Sequence, residues 1–304
     1  MFNKEIYGGL TGLCEKYGGK VASRFSLKKN STIDIGAEAA AMYAPSSNEE
    51  LCAVRSFLDG RGVRTVVVGN GSNMLFPDEM LDAVVINLAG ASFMKTEFDG
   101  SIVTAGSGVH LAGLISECCA RGAGGLENLA GIPATVGGAL VTNASYRSAI
   151  SDYLVKVLVL DNSGREKWIE KSQIMFGYRS SSLRGMGIVL RAVFRLYSAK
   201  PAALTGKYGE HLAEKSKRQP IGKKTLGCIF KNPLLGRRTA GELIDKAGMK
   251  SAQLGGARIS EQHANFIVNT GGATAADVKE LMGEIQGKVR ERFSVELEPE
   301  IEIL

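Results

Sequence analysis

The chain lacks any run of the roughly 18 uncharged apolar residues that a membrane-spanning helix needs, although hydrophobic residues make up 44% of its 304 positions. A membrane-spanning protein is not expected. Nor is an export signal: the opening MFNKEIYGGLTGLCEKYGGK interleaves Lys4, Glu5, Glu15 and Lys16 with its apolar residues and leaves no continuous apolar core. Cytoplasmic residence is the expectation that follows. Histidine is scarce, with His110, His211 and His263 nowhere at i, i+4 spacing, which argues against a histidine-based metal centre. The five cysteines (Cys14, Cys52, Cys118, Cys119, Cys228) contain no C-x-x-C pair, are odd in number and include two neighbours. That pattern fits neither a disulfide framework nor a zinc site, so reduced thiols and no metal are expected.

Proline is sparse at 7 residues while glycine reaches 38, well above the usual ~7%. The glycines sit in apolar surroundings, so they are not a flexible linker. Net charge is +6, but residues 200–250 alone carry 12 Lys or Arg against 4 Asp or Glu. Such concentrated basicity points to an anionic partner.

No repeat of fixed period is visible, and the length suits two or three lobes of ~100–150 residues. Residues 46–88 read as helix, strand, glycine-rich turn and strand. Ser47-x-x-Glu50 forms a capping box ahead of Leu51, Val54, Phe57 and Leu58, and Gly60 and Gly62 end that helix. Thr65–Val68 is a short buried strand. From about 100 to 198 the pattern turns strand-rich, with one helix near His110–Arg121. Leu154–Leu160 closes on the turn Asp161-Asn-Ser-Gly164, and Ile188–Tyr197 is a second β-type run. After Lys200 come a helix capped by Thr239-x-x-Glu242 and a long amphipathic helix from Thr274. A terminal strand Val295–Leu304 then alternates Val295, Leu297, Ile301 and Ile303 with Glu296, Glu298, Glu300 and Glu302. The fold class is α+β, with lobes at 1–95, 96–198 and 199–304.

Several segments carry possible chemistry, each with a plainer alternative. Gly69, Asn70, Gly71, Ser72 and Asn73 follow a buried strand, where successive N–H groups can cradle an anion or simply make a tight turn. The third glycine of a dinucleotide fingerprint is missing, because Met74 holds its place. The segment Gly131, Ile132, Pro133, Ala134, Thr135, Val136, Gly137, Gly138 through Asn143 brings backbone close to a ligand or packs between sheets. Arg179 can fork onto a carboxylate or end in a surface ion pair. Cys228 can serve as an acid or as a small buried hydrophobe. The glutamates of the terminal strand can face a site or a solvated edge.

Taken in order, Gly69–Asn73, Gly131-Ile-Pro133 with Val136-Gly-Gly138 and Asn143, Phe176-Gly-Tyr-Arg179, Gly227-Cys-Ile-Phe-Lys-Asn-Pro233, His263-Ala-Asn-Phe-Ile-Val-Asn269 and Leu297-Glu-Pro-Glu300 resemble the UDP-N-acetylenolpyruvoylglucosamine reductase family, flavoproteins of bacterial cell-wall synthesis. The resemblance is nearly chain-long and fits the family's short form. Departures fall at Ala37, Ala134 and Ser145, where the family usually has glycine. It implies a two-lobed FAD-binding module of the vanillyl-alcohol-oxidase type and a C-terminal α+β substrate-binding domain, with FAD held non-covalently and NADPH as co-substrate. The flavin site would comprise Gly69–Asn73, Gly131, Ile132, Pro133, Thr135, Gly137, Gly138 and Asn143. Arg179 would steady the substrate carboxylate, Cys228 would donate a proton, and Glu300 would assist the enol form. Tyr178, Arg218, Lys231 and Asn232 would bind the UDP-sugar substrate; no nucleic acid, membrane or obligate protein partner is implied. Two other readings stay open: another FAD oxidase or dehydrogenase of the same flavin fold, which would bind flavin without reducing this substrate, and a non-catalytic binder of anionic ligands.

Overall fold

A strand buried on one face alternates apolar with polar residues, whereas Leu154–Leu160 reads LVKVLVL. The computed structural model, which describes residues 2–233 and 238–304, accounts for the difference. The strand lies within an antiparallel sheet ordered Glu166–Glu170, Leu154–Leu160, Ile188–Arg195, Ile102–Gly106, Thr96–Asp99. Both faces are covered: Val157 and Val159 join one core with Leu111, Leu114 and Ile115, while Leu158 and Leu160 join another with Leu51, Val54 and Leu58. The second core is completed by a four-stranded sheet ordered Lys20–Ser26, Glu38–Ala44, Leu81–Ile86, Thr65–Val67 and by the helices Lys4–Tyr17 and Asn48–Asp59. These elements belong to one compact unit, made of the chain up to Phe25, Ala39–Asn70 and Asp82–Ala213.

The expected capping box is half realised. Ser47 accepts from the Glu50 N–H at 3.2 Å, but the Glu50 carboxylate does not return to Ser47. It is fully buried and accepts from Ser46 N (2.6 Å), Ser46 Oγ (2.8 Å), Tyr43 Oη (2.6 Å) and Gly19 N (3.1 Å). A buried carboxylate has to fill its lone pairs, and four donors here outcompete the one at the cap.

The second unit comprises Ser26–Glu38, Gly71–Leu81 and Glu214–Leu304. Its antiparallel sheet is ordered Thr225–Cys228, Phe266–Asn269, Ala257–Ile259, Gln253–Leu254. The expected amphipathic helix is Ala275–Phe293. Thr274 caps it, and Val278, Leu281, Met282, Ile285 and Val289 are buried against the sheet unit; each such side chain stabilises by about 1.5–3 kcal/mol. Thr239 caps Ala240–Lys246 through a full capping box, as expected. Two early loops are tied into this unit. Thr32 Oγ1 donates to the Thr225 carbonyl at 2.7 Å, Asn269 Nδ2 donates to the Ile33 carbonyl at 2.9 Å, and Asp78 accepts from the N–H groups of Ala275 and Ala276.

The terminal strand is shorter than the alternation implies. Only Glu302–Ile303 is strand, paired in parallel with Met74–Leu75, because Pro299 has no N–H to continue a ladder. Leu297 and Ile301 are buried as expected, but Ile303 is exposed and Glu300 is half-buried, so the glutamates do not form one solvated edge.

Glu127 is a second enclosed carboxylate of the first unit. It accepts from Gly125 N (2.5 Å), Tyr197 Oη (2.6 Å) and Lys207 Nζ (2.8 Å) at 1% exposure. Burial alone would push its carboxyl up; the hydrogen bonds from Lys207, Tyr197 and Gly125 together outweigh that and hold it below the ordinary value. A lowered folded-state pKa means a contribution present above the unfolded value of ~4.3 and lost as pH falls through the folded one. Glu127→Gln should therefore cost about 1–3 kcal/mol at pH 7. Urea titrations should show the gap to wild type narrowing at pH 3; an equal gap at both pH values would mean that the charge plays no part.

Candidate active site

In the first unit three segments far apart in sequence meet. Gly69 lies against Thr135, where an added Cβ would come within 2.6 Å of Oγ1, and Asn70 Nδ2 donates to the Pro133 carbonyl at 3.2 Å. The segment Gly131–Asn143 is stitched along its length by Leu111 N to Ala134 O (2.9 Å), Val136 N to Val109 O (2.9 Å) and Gly137 N to Ser107 O (2.8 Å). Gly131 has φ +70, which only glycine adopts freely. Thr135 caps the short helix Val136–Val141, its hydroxyl accepting from Gly138 N at 3.3 Å. A Cβ on Gly137 would sit 3.0 Å from Ser107 Cβ, so that glycine is set by close packing. Ile132 packs on the core, and Pro133 is exposed. Ala37, Ala134 and Ser145 are not among the residues of positive φ, so their side chains sit on backbone that any residue can adopt.

The third segment, around Tyr178 and Arg179, is tied to the second. Asn143 Nδ2 donates to the Gly177 carbonyl at 2.9 Å, Ser181 Oγ donates to the Val141 carbonyl at 2.9 Å, and Arg179 Nη1 donates to Ser145. Tyr178 is exposed, with the Arg179 guanidinium 5.7 Å from its ring centre. Ser107 Oγ and Asn143 Oδ1 are buried without a hydrogen-bond partner among the described residues. Leaving each bare costs about 1–3 kcal/mol, which a polar ligand would offset. Glycine-lined backbone beside two buried polar atoms that lack a partner fits the hydroxyl- and phosphate-bearing cofactor that the resemblance implies. Ser107 was not among the expected site residues; its signal was Gly106-Ser-Gly108 at the end of the strand Ile102–Gly106, a Gly-x-Gly like that of Gly69–Gly71.

The second unit holds the remaining expected residues. Gly71 has φ +57, and an added Cβ would run into the Asn30 carbonyl, so packing dictates this glycine. Ser72 is half-buried. Asn73 braces the C-terminal segment: its Nδ2 donates to the Glu300 carbonyl at 3.3 Å, and its own carbonyl accepts from Glu302 N at 2.8 Å. Cys228 ends the strand Thr225–Cys228 after Gly227 at φ +83, opposite Phe266, and is half-buried. The backbones of 228–231 and 298–300 run side by side, joined by Glu300 N to Ile229 O (2.7 Å) and Lys231 N to Glu298 O (2.8 Å). Asn265 clamps this stretch, accepting from Phe230 N at 3.0 Å and donating to the Phe230 carbonyl at 2.8 Å. It was missed as a site residue although it lies in the His263–Asn269 motif.

Cys228 is half-buried, whereas the vicinal Cys118 and Cys119 are buried. Burial pushes the Cys118 thiol up to about 12 and raises Cys119 as well, so those two are packing thiols. Burial likewise lowers the His263 pKa, and its Nδ1 accepts from Asn265 N at 3.2 Å. Of the expected substrate-binding residues, Arg218 is exposed and pairs with Glu214 (3.4 Å), Lys231 pairs with Glu298 (3.3 Å), and Asn232 Oδ1 accepts from Ala240 N (2.9 Å) at the start of a helix. Among the described residues no cluster of three His, Cys, Asp or Glu side chains could hold a metal, and no helix is long and apolar enough to cross a membrane.

Residues 219–304 match the family model described as UDP-N-acetylenolpyruvoylglucosamine reductase, C-terminal domain, and residues 39–170 match an FAD binding domain. The chain is 37% identical over 295 residues to UDP-N-acetylenolpyruvoylglucosamine reductase of Bacillus subtilis (strain 168), covering 96% of each. To that of Moorella thermoacetica it is 37% identical over 285 residues, covering 93% of each. The crystal structure of UDP-N-acetylenolpyruvylglucosamine reductase from Thermus caldophilus superposes with a TM-score of 0.81 at 35% identity, over 94% of this chain and 99% of that one. With likeness of this extent at both ends of the molecule, the chain belongs to the UDP-N-acetylenolpyruvoylglucosamine reductase family.

Proposed function

We propose that this chain is an FAD-dependent enzyme that uses NADPH to reduce the enolpyruvyl ether of UDP-N-acetylglucosamine, yielding UDP-N-acetylmuramate for peptidoglycan. The observation that carries the reading is the 2.7 Å hydrogen bond from Glu300 N to Ile229 O, which sets Cys228 and Glu300 on adjoining backbones. FAD, when bound, supplies the hydride that the vinyl methylene carbon receives. The flavin would be held by Gly69, Asn70, Gly131–Gly138 and Asn143 on the first unit, with Gly71–Asn73 continuing the segment, and Ser107 is added to that set.

Reduction of the double bond needs two further things: stabilisation of negative charge at the α-carbon and its carboxylate, and a proton for that carbon. Arg179 answers the first with a planar fork that can take a carboxylate in two parallel hydrogen bonds. Cys228 answers the second. Its Sγ–H is a proton donor, and half-burial leaves it a route to a ligand. Glu300 supports the enol form. Tyr178, Arg218, Lys231 and Asn232 are assigned to the sugar nucleotide. The exposed pairs Arg218–Glu214 and Lys231–Glu298 are worth under ~1 kcal/mol each, so a pyrophosphate or carboxylate can displace the glutamate. The lobe boundaries at 95 and 198 remain part of this proposal, as does cytoplasmic residence, where NADPH is supplied and the five thiols stay reduced.

The purified protein should be yellow, bleach with NADPH under anaerobic conditions, and recover its colour on adding the enolpyruvyl UDP-sugar. Bleaching without that recovery would assign it to another flavin-dependent reduction. Gly69→Val tests the cradle: it should lower FAD stoichiometry while circular dichroism stays unchanged, and full flavin content would remove Gly69 from the site.

Cys228→Ala should reduce turnover about 10²- to 10⁴-fold, the range for losing a general acid. Thermal stability and bleaching by NADPH should survive, and Cys228→Ser should keep appreciable activity because it retains a proton donor. A packing thiol predicts the reverse order, with Ala mild and Ser worse. Near-wild-type turnover in Cys228→Ala would sink the proton-donor role.

A further inference from the structure

Arg179 is gripped by a turn that lies 34 residues upstream. Its Nη1 donates both to the Ser145 carbonyl at 3.0 Å and to the Ser145 hydroxyl at 2.9 Å. Ser145 is itself fixed: it bridges to Ala149 in antiparallel fashion, and Tyr146 N donates to Ser148 O at 3.1 Å across the turn. Two residues before it, Asn143 Nδ2 donates to the Gly177 carbonyl. The two turns therefore touch at two points, Asn143 with Gly177 and Ser145 with Arg179. Asn143 and Arg179 both have positive φ, at 46° and 55°, a narrow well that leaves little room for the backbone to slide.

We propose that Ser145 is a positioning residue for Arg179, setting the plane of its guanidinium before substrate arrives. A guanidinium on a flexible stem can rotate about a single hydrogen bond. Two acceptors on one nitrogen, one of them rigid backbone, restrict that rotation and aim the rest of the fork. Bidentate recognition of a carboxylate tolerates only about 10–20° of misorientation, so this restriction acts on the reaction rather than on the fold alone. The inference rests on the reading of Arg179 as the carboxylate-binding residue.

Ser145→Ala removes the hydroxyl and keeps the carbonyl, while Ser145→Thr keeps both acceptors. FAD-loaded wild type and variants can be compared by two readouts. The first is the order parameter of the Arg179 Nε–H bond by nitrogen-15 relaxation, with the resonance assigned by its loss in Arg179→Lys. It should fall in Ser145→Ala and return in Ser145→Thr. The second is the rate at which saturating enolpyruvyl UDP-sugar reoxidises flavin already reduced by NADPH. This should fall about ten-fold in Ser145→Ala, the size of one charge-assisted hydrogen bond, and recover in Ser145→Thr. In an Arg179→Lys background the further loss should be about two-fold or less.

An unchanged order parameter in Ser145→Ala overturns the positioning role whatever the kinetics show. So does loss of bound flavin in that variant, which would assign Ser145 to the cofactor cradle. A lowered order parameter with unchanged reoxidation overturns instead the carboxylate role of Arg179, and the two failures are thereby told apart.

Discussion

The C-terminal unit depends on residues contributed from the first quarter of the chain. Ile33, Ile35 and Leu75 are buried in the same core as Leu226, Phe230, Ile244 and Leu281. Thr32, Asp34 and Asp78 connect the early loops to that unit: Thr32 exchanges hydrogen bonds with Thr225, Asp34 pairs with Lys224, and Asp78 caps the helix Ala275–Phe293. A sheet of four short strands under two helices cannot close its core without them. The unit is thus one of high contact order, completed only when segments about 190 residues apart in sequence have met, as Thr32 and Thr225 are. The same constraint braces Glu300, since Asn73 reaches it from within one of these loops.

The basic window reads differently once its partners are known. Among the described residues, Lys207 pairs with Glu127, Arg218 with Glu214, Lys224 with Asp34, Lys231 with Glu298 and Lys250 with Asp245. The Lys207 pair is of another kind, because its carboxylate is fully buried and carries two more hydrogen bonds; the four others are between exposed or half-exposed side chains. Sequence counts charge without regard to such pairing, and so makes no distinction between a lysine that completes a fold and an arginine whose partner a ligand can replace.

What was legible in the sequence was local. Periodicity gave the face Val278, Leu281, Met282, Ile285, Val289 and Phe293 of the long helix and its start at Thr274, and cap chemistry gave Thr239. The turn at Asp161–Gly164 followed from its Asp and Gly. The motifs of the site were legible through resemblance. Where sequence reasoning fell short, the deciding partner was distant. Glu50 turned from the cap to Tyr43 and Gly19, and Pro299 cut short a strand that side-chain alternation alone would have continued. Ser107 and Asn265 owe their places to backbone groups elsewhere in the chain, Gly137 for the one and Phe230 for the other, and no spacing rule links them.

Arg179 shows how local preference yields to a site. Left-handed backbone costs a non-glycine residue about 1–2 kcal/mol, and Arg179 occupies it at φ 55. Glycine would relieve that cost and lose the guanidinium. The two hydrogen bonds from Nη1 to Ser145 offset part of it, and Asn143 holds the Gly177 carbonyl two residues before. Asn143, also left-handed, is an ordinary tenant of that conformation. An arginine there is uncommon, and strain of this sort persists only where the surroundings over-determine it. The bonds that keep the turn in place are the same ones that orient the side chain, so the backbone strain and the aim of the guanidinium have a single physical origin.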